Sequence, residues 1–206
     1  MATIKLNPII TDIRNRMGSN VFSKWKGINY VRGYVPPTNR NTKEQAAVRS
    51  TFSRLVEAWK SLGTAIQQSW NALATGTNMS GYNAFISENF ESMKADLALI
   101  LSKSPDEEPA GAFTAAPGAA AGEISCAYPS PAAGREITLF TQKKSGDGNG
   151  PALLTRHDTG GAASPFTVGG LEPGSGYHVY AVITEGPYAE AKQVSASVST
   201  DAVAKA

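Results

Sequence analysis

His157-Asp158 and His178, with serines at several positions around them, are the residues whose types suit acid–base or nucleophilic chemistry. A working Ser-His-Asp relay needs an activated serine, and no nucleophile motif surrounds any serine in this chain. The two histidines therefore read as ordinary strand residues. The run Gly146-Asp147-Gly148-Asn149-Gly150 sets carboxylate and amide oxygens in a glycine-rich loop, a chemistry that suits calcium, but it lacks the downstream Glu that closes an EF-hand loop. It reads as a flexible hairpin turn. Cys126 is the single cysteine, which excludes an intrachain disulfide and a thiol-built metal site. No phosphate-cradling loop, paired Cys/His set or dinucleotide fingerprint is present. The expectation is a chain that is not an enzyme, with no cofactor and no metal.

What the sequence does concentrate is cations among aromatics. Lys24, Trp25, Lys26, Tyr30, Arg32 and Tyr34 follow closely on Phe22, and this set is the expected assembly surface. Lys24, Lys26 and Arg32, with Arg40, Arg49 and Arg54, form an alternative set that would grip nucleic acid through phosphate contacts, with the aromatics stacking on bases. The same lysines also suit a solvated strand edge, where charge discourages unwanted pairing. Net charge is only +2, but residues 1–60 hold 11 Lys/Arg against 3 Asp/Glu, a balance of +8. Residues 61–100 come to −2, and residues 101–206, with 7 basic against 11 acidic, to −4. Opposite signs at the two ends imply different jobs or head-to-tail contacts between copies.

The elements that must position these residues are legible from periodicity. Residues 1–19 carry Ile4, Leu6, Ile9, Ile10 and Ile13, but Pro8 forbids one continuous helix, so an extended arm and a short turn ending near Gly18 are expected. Residues Val21–Val35 alternate as a hairpin about Lys26-Gly27, and Pro36-Pro37 ends it. Thr42 with Gln45 forms a capping box, and Val48, Phe52, Leu55, Val56, Trp59 and Leu62 recur at helical spacing up to Gly63, expected in the left-handed position. Thr64 with Gln67 is a second capping box, with Ile66, Trp70 and Leu73 lining the next helix. A third helix starts near Ser80, with Tyr82, Phe85, Ile86, Phe90, Met93, Leu97 and Leu101 as its stripe. Three helices with short connections should pack as a bundle. No apolar run approaches the roughly 20 residues of a membrane span. Pro8 and Asp12 interrupt any signal-peptide core, so the expectation is a protein made in the cytoplasm.

Residues 102–112 combine two prolines with three consecutive acids and read as an exposed linker. Beyond it the candidate strands are 113–116, 123–128, 136–142, 153–157, 166–168, 176–184 and 191–199, a spacing that argues for a Greek-key sandwich. The expected fold class is α+β multidomain: an N-terminal arm (1–19), a β-hairpin plus three-helix domain (20–101), the linker (102–112), an all-β sandwich (113–200) and a tail (201–206).

Three resemblances attach to these residues. GSNVFSKWKGINYVRGYVPPTNRNTKEQ, followed by QQSWNALA and SGYNAFISENF, resembles a family of uncharacterised phage and prophage proteins over residues 18–90. That resemblance implies a virion structural protein and brings no catalytic residues. WKSLGTAIQQSWNALA and SGYNAFISENF also resemble HMG-box helices in swapped order, which implies DNA binding as the alternative. Leu171, Pro173, Gly174 and Tyr177 match the L-x-P-G-x-x-Y corner of fibronectin type III domains, and the resemblance covers residues 112–200. It implies an Ig-like sandwich in which the Tyr177 hydroxyl bonds nearby backbone. The usual Trp of the second strand is absent, with Ile124 and Cys126 there instead. The combined expectation is a structural virion protein, assembled in the bacterial cytoplasm. It would contact copies of itself and other virion proteins, touch DNA if the alternative holds, and cross no membrane.

Overall fold

The computed structural model describes residues 2–6, 12–36, 38, 40–104, 111–145, 153–161, 163–191 and 193–206. Pro8, Ile9, Ile10, Pro37, the centre of the acidic linker and the Gly146–Gly150 loop lie outside the described residues. The chain forms two compact units, Met1–Asn41 and Thr42–Ala206. The sequence grouped the hairpin with the helices; the structure instead divides the chain at the start of the first helix.

The first unit is a four-stranded antiparallel sheet of order β1-β4-β3-β2, built from β1 (Ala2–Thr3), β2 (Asn15–Met17), β3 (Asn20–Trp25) and β4 (Ile28–Gly33). Lys26 and Gly27 turn the hairpin with φ of 47° and 83°, the doubly left-handed turn whose twist suits two antiparallel strands. Trp25 then faces Ile28 across the turn, Ser23 faces Tyr30 and Val21 faces Arg32. The arm does not stay separate. Thr3 pairs with Tyr30 and Arg16 with Val21, so both halves of it become edge strands of their own hairpin. These edges are only two and three residues long, too short to template further strand pairing.

The second unit stacks three helices on a two-sheet sandwich. Helix α1 (Lys43–Ser61) begins at Thr42, whose side chain and that of Gln45 make the reciprocal capping box. Helix α2 is Thr64–Ala74 and α3 is Gly81–Lys94, the latter capped by the Ser80 hydroxyl. The second expected capping box does not form. Gln67 Nε2 instead donates to the Trp59 carbonyl at 2.9 Å and the Leu62 carbonyl at 3.1 Å, closing the end of α1. Gly63 has φ −70°, so it is not the expected left-handed cap. Its lack of a side chain serves packing: a Cβ there would lie 2.5 Å from the Tyr188 ring, and the Gly63 N–H donates to the Tyr188 hydroxyl at 3.0 Å.

Strands β5 (Thr114–Pro117), β6 (Ile124–Ala127) and β9 (Phe166–Val168) form one sheet. The other has the order β11-β10-β7-β8, from β7 (Arg135–Lys143), β8 (Leu154–Asp158), β10 (Gly176–Glu185) and β11 (Val198–Val203). Both sheets are antiparallel throughout. The last strand lies further on than the expected 191–199, and the expected tail is structural. Asp201–Val203 complete β11, and Ala202 and Ala204 are buried in the inter-sheet core. Alanines carry little apolar contrast, which is why the alternation there is faint in the sequence.

β7 and β10 are buried on both faces. Leu139, Val179 and Ala181 point between the sheets with Ile124, Cys126 and Val168. Phe140, Tyr180 and Val182 point the other way, into a core shared with Leu55, Ile66, Trp70 and Phe85 of the helices. The helices are therefore a third layer on the sandwich, and a strand covered on both faces reads as a continuous apolar run.

The seam between helices and sheet is the segment Leu99–Ser102, in place of the expected continuation of α3. Leu99 N–H donates to the Tyr180 hydroxyl at 3.0 Å, and that hydroxyl donates to Gln142 Oε1 at 2.7 Å. Trp70 Nε1 donates to the Leu101 carbonyl at 2.8 Å. Ser197 Oγ accepts from the Leu101 and Ser102 N–H groups at 3.0 and 3.2 Å. Ser102, expected at the head of an exposed linker, is buried and donates to the Ser195 carbonyl at 2.7 Å.

Candidate functional site

The cation–aromatic residues singled out by sequence belong to the first unit, and its sheet divides them between two faces. Cross-strand partners share a face, so Trp25, Tyr30 and Arg32 lie together with Ile28, Val21 and Thr3. Phe22 and Lys24 lie on the opposite face, paired with Val31 and Asn29. Tyr34, two residues beyond Arg32, sits by Arg16, whose guanidinium carbon is 3.9 Å from the ring centroid. Lys26 Nζ is 5.0 Å from the Trp25 centroid. Both are cation–π distances. Thr3, Trp25, Ile28 and Tyr30 line a depression of about 430 Å³.

None of the described residues of this sheet is buried. Trp25 is 65% exposed, Ile28 54% and Val35 71%. Burial therefore contributes little to the stability of this sheet among its described residues. The first unit holds seven Lys/Arg against one carboxylate, Asp12, a balance of +6. Asp12 is itself paired to Arg14 at 2.9 Å.

The helical cations belong to the second unit. Arg54 was expected among the nucleic-acid contacts, but it is buried, and its Nη2 donates to the Met93 carbonyl at 3.1 Å. There it satisfies the carboxyl end of α3, where a cation is favoured by the helix dipole. No phosphate can reach it. Arg49 lies in the exposed amino-terminal turns of α1 and Arg40 in the exposed segment before them. Val48 and Phe52, expected in the core stripe, are also exposed: Val48 lies in the exposed first turns of α1, and in the turn of Phe52 the buried face is taken by Thr51, Arg54 and Leu55.

The histidines are occupied. His178 is buried, with Nδ1 2.6 Å from Asp201 Oδ1 and Nε2 3.1 Å from the Asp96 carbonyl. Burial raises the Asp201 carboxyl, but hydrogen bonds from Lys144 and His178 outweigh it and leave its pKa lowered. His157 Nε2 lies 2.9 Å from Thr141 Oγ1, and burial lowers its pKa. Among the described residues, no group of three His, Cys, Asp or Glu comes together to hold a metal, and no helix is long and apolar enough to cross a membrane.

Cys126 is fully buried between the sheets, and burial pushes its thiol up to about 11. A pKa raised in the folded state means stability that is complete below the unfolded thiol's pKa, near 8.5, and is lost as pH rises from there through about 11. Native protein should leave Cys126 unreacted with a thiol reagent at pH 8, and the urea midpoint should fall between pH 8 and pH 10. Cys126→Ala should flatten that fall; an equal fall in the variant would show that other groups cause it.

The corner expected from sequence is formed. Glu172 N–H donates to the Tyr177 hydroxyl at 2.9 Å, and Leu171 packs against the inter-sheet core. Comparison with solved structures finds fibronectin type III domains. The FN1–FN3 domains of chicken CNTN1 match at 12% identity and a TM-score of 0.35, over 51% of this chain and 34% of that one. The FN5 domain of Drosophila Lar matches at 16% identity and a TM-score of 0.30, over 46% of this chain and 95% of that one. The chain thus spans about a third of the length of the chicken chain. No family model matches the sequence, and no curated protein does.

Proposed function

We infer that the chain is a structural assembly protein of a phage or prophage particle. It docks through the N-terminal sheet and presents a fibronectin-like module with a helical layer on its back. One observation carries this reading: the sheet has no buried residue on either face among those described, Phe22 on one face and Trp25 on the other included. A sheet of that kind gains its stability from a partner. The opposed charges support the reading, since the first unit balances to +6, and the second, with 12 basic and 16 acidic residues, to −4. The likeness of residues 18–90 to phage-associated proteins supplies the particle. The HMG-type alternative loses one of its two helical cations with Arg54 buried, while Arg49 lies in exposed turns of α1.

The full chain should elute above its 21.6 kDa monomer mass in light scattering, and should co-sediment with particles from cells carrying the neighbouring genes. Phe22→Asp, on the face opposite Trp25, should return it to monomer with its helical content unchanged. A wild-type chain that is monomeric and missing from every particle fraction would overturn the reading.

A further inference from the structure

We propose that the Trp25 face of the N-terminal sheet is a binding platform for single-stranded nucleic acid, gripped by base stacking and backbone neutralisation. The proposal goes beyond the assembly reading and does not rest on it.

The argument begins with spacing. Side chains on one face of a strand recur every second residue, about 6.6 Å apart. Along β4 and its extension this places Ile28, Tyr30, Arg32 and Tyr34 in one file, alternating flat rings with a guanidinium. Trp25 joins that file through its pairing with Ile28. Rings offer stacking to any base, and cations between them meet the phosphates that separate the bases.

The cations sit where a nucleotide would need them. Lys26 Nζ lies over the Trp25 ring and the Arg16 guanidinium over the Tyr34 ring; each would turn from its ring to a phosphate as a base stacks there. The depression bounded by Thr3, Trp25, Ile28 and Tyr30, about 430 Å³, lies within the range of small-ligand pockets. It is floored by rings, with no carboxylate among the described lining residues.

Charge selects the ligand class. The unit's one acid, Asp12, is already paired to Arg14, so nothing on this face repels a polyanion. A second copy of the same face would bring Arg16, Arg32 and Lys26 against their equivalents, which disfavours self-pairing here. An acidic protein surface could meet the charges but has no use for the exposed rings of Trp25 and Tyr34 beside the half-buried Tyr30. Duplex DNA hides the faces of its bases, so it would engage the cations and leave Trp25 unstacked.

Trp25 is also a reporter, because Trp70 is buried and Trp59 is packed against the helical core. The experiment titrates the full chain with a fluorescein-labelled 20-mer of oligo(dT) at low salt, following anisotropy and tryptophan emission together. Binding should quench the emission, and log affinity should fall with log salt at a slope of about −2 to −3, as three or four neutralised phosphates on a single strand require. Trp25→Ala should weaken binding about tenfold or more and abolish the quench; Trp25→Phe should restore most of the affinity; and circular dichroism should be unchanged in both. Polyphosphate should displace the oligonucleotide without quenching.

Three results would overturn the proposal: no binding stronger than that of polyphosphate, duplex of equal length binding as tightly as single strand, or affinity indifferent to Trp25→Ala. Quenching of Trp25 by poly-glutamate as deep as by oligo(dT) would reassign the face to an acidic protein partner. Light scattering on the same samples reports assembly separately. A Trp25 variant that assembles but no longer binds oligo(dT) separates the two functions.

Discussion

Replacing Trp70 with alanine should lower the melting temperature of the second unit by 10 °C or more, and should expose Cys126 in the far core as it does so. Trp70 is 2% exposed and its ring meets Phe85 edge-on at 5.6 Å. Truncating a buried tryptophan costs about 3–5 kcal/mol through lost burial and the cavity left behind. The Leu101 carbonyl would also lose its indole donor, and an orphaned buried acceptor adds about 1–3 kcal/mol. Domains of this size hold only about 5–15 kcal/mol in total, and each kcal/mol moves the transition by about 2–4 °C.

The more telling readout is distant. Trp70 belongs to the helix-side core and Cys126 to the inter-sheet core. The two meet only through β7 and β10, which contribute to both. If helices and sandwich unfold as one body, Trp70→Ala should accelerate thiol labelling of Cys126 by the factor its loss of stability predicts. Trp59→Ala should do so less, because Trp59 is only partly buried. Unchanged Cys126 protection in a destabilised Trp70 variant would show a helical layer that melts alone, and would sink the three-layer account.

Local signals in the sequence carried the element boundaries well. The Thr42–Gln45 box, the Lys26-Gly27 turn and the Tyr177 corner each rest on residues within a few positions of one another, and each forms. What the sequence concealed is long-range. Gly63 is small because of a tyrosine 125 residues away. Arg54 looks like a surface cation until α3 places a helix end against it. The partition of β10 was half visible: Val179, Ala181 and Ile183 alternate as an inward face, but Tyr180 and Val182 between them are also large and apolar. A strand with two apolar faces needs a layer on each side, and the helices are the layer at hand. The candidate surface was legible as a set of residues, and only the hairpin register separates Trp25, Tyr30 and Arg32 from Phe22 and Lys24.

The second large effect belongs to Asn89, a fully buried polar side chain in α3. Its Oδ1 accepts from the Ile100 N–H at 2.7 Å, and its Nδ2 donates to the Ile100 carbonyl at 3.0 Å and to the Phe85 carbonyl at 3.1 Å. An amide carries both a donor and an acceptor, so it can pair with both backbone groups of a single residue. It does for the seam what a neighbouring strand would do. Asn89→Ala would leave the part-buried N–H and carbonyl of Ile100 without these partners, and with about 1–3 kcal/mol for a fully buried orphan and less where water reaches, the loss should be about 1–3 kcal/mol by urea denaturation. Asn89→Asp distinguishes hydrogen bonding from mere volume. The carboxylate keeps the acceptor for Ile100 N–H but turns lone pairs toward two carbonyl oxygens, so at neutral pH it should be at least as unstable as the alanine variant. Burial and those carbonyls favour its neutral form, raising the folded-state pKa above the unfolded value near 3.9. A raised pKa gives stability that is present below the unfolded value and lost as pH climbs through the folded one. Relative to wild type, Asn89→Asp should therefore recover stability on acidification, while Asn89→Ala should keep a constant deficit. Parallel curves for the two variants would mean that Asn89 fills space at the seam and does not bond it.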